Sequence, residues 1–311
     1  MTEVSRTRTP MSKPQIFIQT NAKQEIGAKV SAYSLKRSSR HPDAFDVTIM
    51  RQEDYPFFRA REGHRYRKHG STFVWRSDDL QSFTPLRFMP PELMHYEGRA
   101  LVIDPDVFAV SDVNELLGRD MGGHAILCRR LTKFRRQRFA SSVMLLDCAR
   151  LEHWNVERDF NELFEGTRDY GDWIALALEP PASIGLIEEE WNHFDRLTRR
   201  TKFLHTTRRR TQPWKTGLPV DYRPVEILPV IGWFLRMRRN ILGDYALLGR
   251  YARHPDPNQE RLFFGLLREC VDKGLVSEAE IRAAMSNNYL RHDTCEVLAS
   301  ARPLEELELA P

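Results

Sequence analysis

The sequence predicts an α/β fold, an open sheet with helices packed on it, extended by a helical region towards the C-terminus. Three observations lead there. Short apolar runs at 14–20, 46–50 and 99–103 have the length and composition of strands; the first two flank a segment of helical period; and beyond about residue 225 the pattern turns helical. With 311 residues and 41% hydrophobic content the chain can bury a sizeable core, enough for one large domain or one and a half.

Residues 1–13 are polar and read as a flexible arm. The run from Pro14 to Thr20 is a strand that breaks into Asn21-Ala22-Lys23-Gln24, and a helical pattern follows through Ile26, Val30, Tyr33 and Ser34. Asp46 to Met50 supplies the next strand, which completes a right-handed βαβ unit. Residues 51–80 are crowded with Arg, His, Tyr and Asp and carry no period, so an irregular surface segment is expected. A helix or turn over Leu86 to Leu93 leads to Arg99-Ala100-Leu101-Val102-Ile103, a continuous apolar run of the kind a fully buried strand shows. Further strands are expected at 123–128 and 142–147, helices at 112–118 and 149–154, and a helical stretch over 158–178 interrupted at Asp169-Tyr170-Gly171-Asp172. Pro213 and Pro219 mark the exit from the sheet. An α/β domain over 14–224 and a helical region over 225–311 result, the latter with helices at 227–248, 258–273 and 277–286. Ser277-Glu278-Ala279-Glu280 opens the last of these as a capping box.

Lys and Arg outnumber Asp and Glu by only 47 to 43, a net charge of +4 that gives no ground for a nucleic-acid partner. The four cysteines, Cys128, Cys148, Cys270 and Cys295, are widely spaced and read as core thiols of a reducing compartment. No apolar run approaches the ~20 residues of a membrane span, and a cytoplasmic protein is expected. The segment 228–239, apolar and then rich in arginine, suits either a core helix or peripheral contact with the inner face of a membrane.

The buried run at 99–103 ends abruptly in Asp104-Pro105-Asp106. Two carboxylates at a strand's carboxyl end suit Mg2+ or Mn2+, whose remaining positions phosphate oxygens and water can fill; the tripeptide is equally an ordinary turn. His205 follows a second apolar run and could complete a metal face, or be a satisfied structural side chain. Arg208, Arg209, Arg210 or Lys215 could meet phosphate oxygens, although three successive arginines also make a solvated face. Trp191-Asn192-His193-Phe194-Asp195 reads either as a substrate contact or as packing.

In order and spacing these stretches resemble glycosyltransferase family 8, a retaining GT-A family. Ile16 to Asn21 with Gly27-Ala28 and Ser34-Leu35 is similar to its first strand, nucleotide loop and helix; Ala100 to Leu116 to its DxD strand and the helix start that follows; Ser141 to Asp147 to its Val-Met-Leu strand; and His205 to Trp214 to its HFxGxxKPW stretch. The resemblance covers roughly residues 15–217 and implies a Rossmann-like GT-A fold with a mixed central sheet and helices on both faces. It implies that Asp104, Asp106 and His205 hold Mn2+, with Mg2+ as the alternative, together with the diphosphate of a UDP-sugar. Gln19, Thr20, Asn21, Gln24, Arg87, Asp104 and Ser141 would then bind the nucleotide-sugar, with Arg208 or Lys215 on its phosphates, and Asp172 or Asp169 would face the reacting sugar. The sequence departs from the family at Gln212, which stands where the family has a phosphate-binding lysine, at Ser141 in place of asparagine, and at Asp169-Tyr170-Gly171-Asp172 in place of its DQD segment. The expectation is a metal-dependent retaining transfer of a hexose, glucose or galactose, to a sugar, glycolipid or small hydroxylated acceptor. A catalytically idle GT-A binding module and a nucleotide-sugar hydrolase remain the alternatives.

Overall fold

The computed structural model describes residues 13–131, 138–221 and 249–307, with 237, 241 and 309 as single positions. Its first strand β1 (Gln15–Thr20) runs through α1 (Glu25–Ser38) into the parallel strand β2 (Asp46–Arg51), the expected βαβ unit. After α2 (Pro56–Ala60), the hairpin β3 (Arg65–Lys68) and β4 (Ser71–Val74) and the short α3 (Pro90–Leu93), strand β5 (Arg99–Ile103) pairs parallel to β1 on the side away from β2. Then come β6 (Val107–Ala109), α4 (Asn114–Leu117) and two long strands, β7 (Ile126–Leu131) and β8 (Arg138–Asp147). Next are α5 (Val156–Glu165), α6 (Tyr170–Ile174) and the short strands β9 (Ile184–Leu186), β10 (His193–Phe194) and β11 (Phe203–His205). The central sheet has the order β2-β1-β5-β8-β7-β9, with β8 antiparallel to both its neighbours. It is a mixed sheet, as expected.

Alternation along each strand sends side chains into two cores. Phe17, Ala100, Val102, Met144 and Leu146 face α5 and α6, whereas Ile16, Ile18, Leu101, Ile103, Val143 and Leu145 face α1 and α4. Because both faces are covered, these strands read as unbroken apolar runs. Helices α7 (Pro257–Asp272), α8 (Glu278–Ser286) and α9 (Thr294–Ala299) bury Phe263, Phe264, Leu267 and Cys270 against Ile26 and Val30 of α1, Phe108 of β6 and Leu204 of β11. Phe263 and Trp214 pack with ring centroids 4.7 Å apart. The Ser277–Glu280 capping box is formed. The expected helix at 227–248 and the candidate membrane segment 228–239 lie outside the described residues except for 237 and 241. Among the described residues no helix is long and apolar enough to cross a membrane. Cys128, Cys148 and Cys270 are buried, which pushes each thiol up to about 12; Cys295 is exposed.

The departures from expectation are local. Residues 51–80 are ordered rather than irregular: β3 and β4 join through His69-Gly70, both at positive φ, the two-residue turn that matches hairpin twist. Tyr66 on this hairpin packs against Trp75, Phe164 and Tyr170. The helix expected at 149–154 is a single 3-10 turn, Cys148–Arg150, and α5 starts later where Asn155 caps Arg158 N–H at 2.9 Å. The stretch 158–178 divides at Gly166, whose φ of +79° ends α5. The strand expected at 123–128 begins at Ile126.

The shared aromatic core makes a prediction. Phe263→Ala should lower the free energy of unfolding by about 3–5 kcal/mol, read from urea denaturation, because it leaves a cavity between Trp214, Phe108 and α7.

Candidate functional site

β1 leads to β2 on one side and pairs with β5 on the other, so strand order reverses between β1 and β5, where open α/β sheets leave a crevice beyond the carboxyl ends. Asp104 follows β5 directly and Asp106 precedes β6, placing the two carboxylates on the arms of a turn at Pro105. Gly27 of α1 lies against that turn, where a Cβ would stand 3.0 Å from the Pro105 carbonyl oxygen. His205 arrives from β11, antiparallel to β6 with His205 opposite Val107. That register sets His205 Nε2 3.2 Å from Asp106 Oδ1 and 3.8 Å from Asp104 Oδ2. Ligand atoms from all three residues lie within 4.8 Å of one another.

Each member is held by other side chains. His205 Nδ1 is 2.8 Å from Asn192 Oδ1, and Asn192 Nδ2 donates to Ser142 Oγ at 2.9 Å. Because an amide oxygen only accepts, Nδ1 carries the hydrogen and the unprotonated lone pair of neutral His205 sits on Nε2, beside the carboxylates. Arg87 grips Asp104 with two nitrogens, Nε donating to Oδ1 at 2.8 Å and Nη2 to Oδ2, while Gln19 Nε2 also donates to Oδ1. Arg87 Nη1 donates to Ser141 Oγ at 2.9 Å, and Ser141 Oγ donates to the Ile174 carbonyl at 2.6 Å, tying the arginine to the end of α6. Gln212 Nε2 donates to Asp106 Oδ2 at 3.3 Å. Stripping Asp104 of its guanidinium would leave a buried charge uncompensated, a loss of about 3–5 kcal/mol in comparable pairs.

Burial raises the pKa of Asp104, and Arg87 and His205 only partly offset it. For His205 burial opposes the imidazolium, but Asp106 and Asp104 outweigh it and the pKa stands above the ordinary imidazole value. The cluster therefore retains protons that a cation would displace. Two hard carboxylate oxygens and an oriented imidazole fit Mn2+ or Mg2+. The oxygens Oε1 of Gln24 and Gln212 are buried without a hydrogen-bond donor beside the cluster, so the site also holds acceptors that a ligand could satisfy.

A cleft of about 380 Å3 opens beside the cluster. Asp104, Asp106, His205 and Arg87 line it together with the cations Lys68, Arg138 and Arg209 and the rings of Phe139, Tyr170 and Phe194. Burial pushes the Tyr170 phenol up to about 12, so it is protonated at neutral pH.

The other residues singled out in the sequence are placed unevenly. Gln24 and Ser141 line the cleft. Thr20 is buried with its hydroxyl on the Asn21 carbonyl, and Asn21 fastens the loop at 79–82, donating to the Asp79 carbonyl at 3.0 Å and Ser82 Oγ at 3.2 Å; neither lines the cleft. Lys215 is fully buried outside the cleft, its Nζ 2.7 Å from Asp221 Oδ2. Arg208 is also outside, its backbone N–H on Asp195, and Arg209 is the arginine of that run that reaches the cleft. Asp169 and Asp172 depart furthest from the expected role. Asp169 caps α6 through Gly171 N–H at 2.7 Å and accepts from His69 N–H at 2.9 Å and Gly70 N–H at 2.8 Å. Those backbone donors outweigh burial and hold its pKa low. Asp172 is exposed on α6, and neither lines the cleft. Asn192, Ser142 and Lys68 were missed; only the polar Asn192 set among aromatic residues hinted at a buried hydrogen-bonding task.

If Asp169 is a brace for the hairpin rather than a reacting group, Asp169→Ala should cost about 1–2 kcal/mol of stability, as a lost helix cap does. It should leave Mn2+ affinity within about twofold of wild type, since it lies outside the Asp104–Asp106–His205 cluster. Thermal melts and a Mn2+ titration of the same variant check both.

No family model matches the chain, and no curated protein matches it. Among solved structures it is similar to the glycosyltransferase GlyE of Streptococcus pneumoniae (14% identity over 85% of this chain and 64% of that one, TM-score 0.46). It is similar also to the bifunctional glycosyltransferase WbbM (12% identity, 68% of this chain and 48% of that one, TM-score 0.49). A third is the galactosyltransferase LgtC, solved with donor and acceptor sugar analogues (13% identity, 64% of this chain and 89% of that one, TM-score 0.43). The chain spans less than two thirds of the length of GlyE and of WbbM. At these levels of likeness the functional reading rests on the site itself.

Proposed function

We propose that the protein is a metal-dependent glycosyltransferase that moves a hexose, glucose or galactose, from a UDP-sugar to a hydroxyl acceptor with retention of configuration. The observation that carries this reading is the convergence of Asp104 and Asp106, from the turn between β5 and β6, with His205 of β11, at the carboxyl end of a buried strand beside a cleft of ligand size. A pure binding module has little need of two carboxylates and an oriented imidazole held against the cost of their burial.

In this reading the three side chains hold Mn2+ or Mg2+. Bound there, the divalent cation supplies positive charge opposite the donor's diphosphate. Arg87 keeps Asp104 in place and Asn192 keeps the His205 ring oriented, so the negative charge that develops as the anomeric bond breaks meets groups already positioned. Arg209 adds charge from the same loop as His205, and Gln24 and Gln212 offer acceptors to the donor. Among the described residues no carboxylate other than Asp104 and Asp106 lines the cleft. That supports a route in which the departing diphosphate oxygen takes the acceptor's proton and no carboxylate base is used.

Calorimetric titration with UDP and with GDP, each in the presence of Mn2+ or EDTA, tests the donor site. UDP should bind only with the metal, and Asp106→Ala should weaken it by about a hundredfold, the upper end of what a lost metal-site interaction gives. UDP binding that persists in EDTA or in the variant would overturn the assignment. Product analysis with and without acceptor then separates transfer from hydrolysis.

A further inference from the structure

Gln212 does more than tie down Asp106, given the reading above that Asp104, Asp106 and His205 hold a divalent ion. It is only 2% exposed. Its backbone is fixed between two 3-10 turns, Arg209–Thr211 and Pro213–Lys215, with its carbonyl accepting from Lys215 N–H at 3.0 Å. The side chain lines the cleft, Nε2 donating to Asp106 Oδ2 at 3.3 Å while Oε1 is enclosed with no donor. A buried amide oxygen in that condition has given up its hydration with nothing in exchange, which is costly.

The Asp106 carboxylate stands between two groups, with His205 Nε2 3.2 Å from Oδ1 and the Gln212 amide on Oδ2. An ion held on this carboxylate therefore has an imidazole on one side and an amide on the other. Oxygens at right angles on such an ion lie about 3 Å apart, so the amide already stands at the spacing of a neighbouring ligand. Rotation about its last torsion, which has two nearly equivalent minima, exchanges Nε2 for Oε1 and turns a hard oxygen to the ion. The acceptor that Gln212 offers to the donor complex is thereby taken by the ion that the complex contains. Gln19 is the matching amide on Asp104, but it donates to Oδ1, which Arg87 also holds, whereas His205 faces Oδ2, and it does not line the cleft. We propose that Gln212 is a fourth protein ligand of the divalent ion, through its amide oxygen, beside Asp104, Asp106 and His205. A lysine, which the family resemblance would place at 212, has no acceptor and could not fill this role.

The test uses the full chain and Mn2+ alone, without nucleotide. Titration followed by the EPR signal of the free ion gives affinity, and line broadening in water enriched in the magnetic isotope of oxygen counts the waters on the bound ion. Gln212→Ala should bind Mn2+ about tenfold or more weakly and carry about one more water than wild type, because solvent fills the vacated position. Gln212→Glu keeps an oxygen there and should retain the wild-type water count, and thermal melts check that both variants fold. An unchanged water count in Gln212→Ala would reduce the residue to a positioning role on Asp106 and overturn the ligand assignment. So would a Gln212→Glu variant that takes up no Mn2+ or carries the extra water too. If wild type itself takes up no Mn2+, the metal reading falls and this inference with it.

Discussion

The structure is organised around the burial of charge at the end of β5. Asp104 is almost fully enclosed, and Asp106 and the His205 imidazole stand beside it. An uncompensated carboxylate in such a place costs several kcal/mol. The surroundings answer that penalty with specific partners: a two-pronged guanidinium from Arg87, an amide from Gln19, an amide from Gln212 on the neighbouring carboxylate, and the Asn192–Ser142 chain behind the histidine. Those partners come from five different parts of the chain, so the fold must be complete before the cluster is.

The scaffold explains why the cluster keeps its shape. β6 and β11 pair in a small sheet that joins the two arms of the Asp104–Asp106–His205 cluster, and its underside is sealed by Phe108, Trp214 and Phe263. The C-terminal helices thus serve the site indirectly, by pressing on the strand that carries His205. On the opposite side of the cleft the β3–β4 hairpin is fixed by Asp169 and by an aromatic cluster around Tyr66 and Trp75. A carboxylate that the family resemblance would assign to chemistry is spent on holding a turn.

Much of this was legible in the residues. Strands buried on both faces write themselves as apolar runs, and one that stops dead in Asp-Pro-Asp marks both an element boundary and a pair of carboxylates at the strand's carboxyl end. His205 was legible for the same reason, as a polar residue ending an apolar run. The hairpin was not, because its strands are four residues long, largely polar, and joined by His-Gly instead of the Asn-Gly or Asp-Gly that usually signals such a turn. Asn192 was hidden because the need for a buried amide depends on the register of β10 against β11. The choice between Arg208 and Arg209 depends on a 3-10 turn, and the burial of Lys215 against Asp221 depends on a segment where no sheet or helical pattern remained to orient it.

The measurement that reaches the centre of this account most directly is a Mn2+ titration followed by the EPR signal of the free ion, repeated across pH. The account predicts one saturable site per chain, lost in His205→Ala. Because the His205 pKa is raised, the imidazolium persists above the ordinary value of about 6.5, so affinity should climb as pH rises through the neutral range, with proton release on binding. An absence of saturable binding, or an affinity that ignores both pH and His205→Ala, would contradict it.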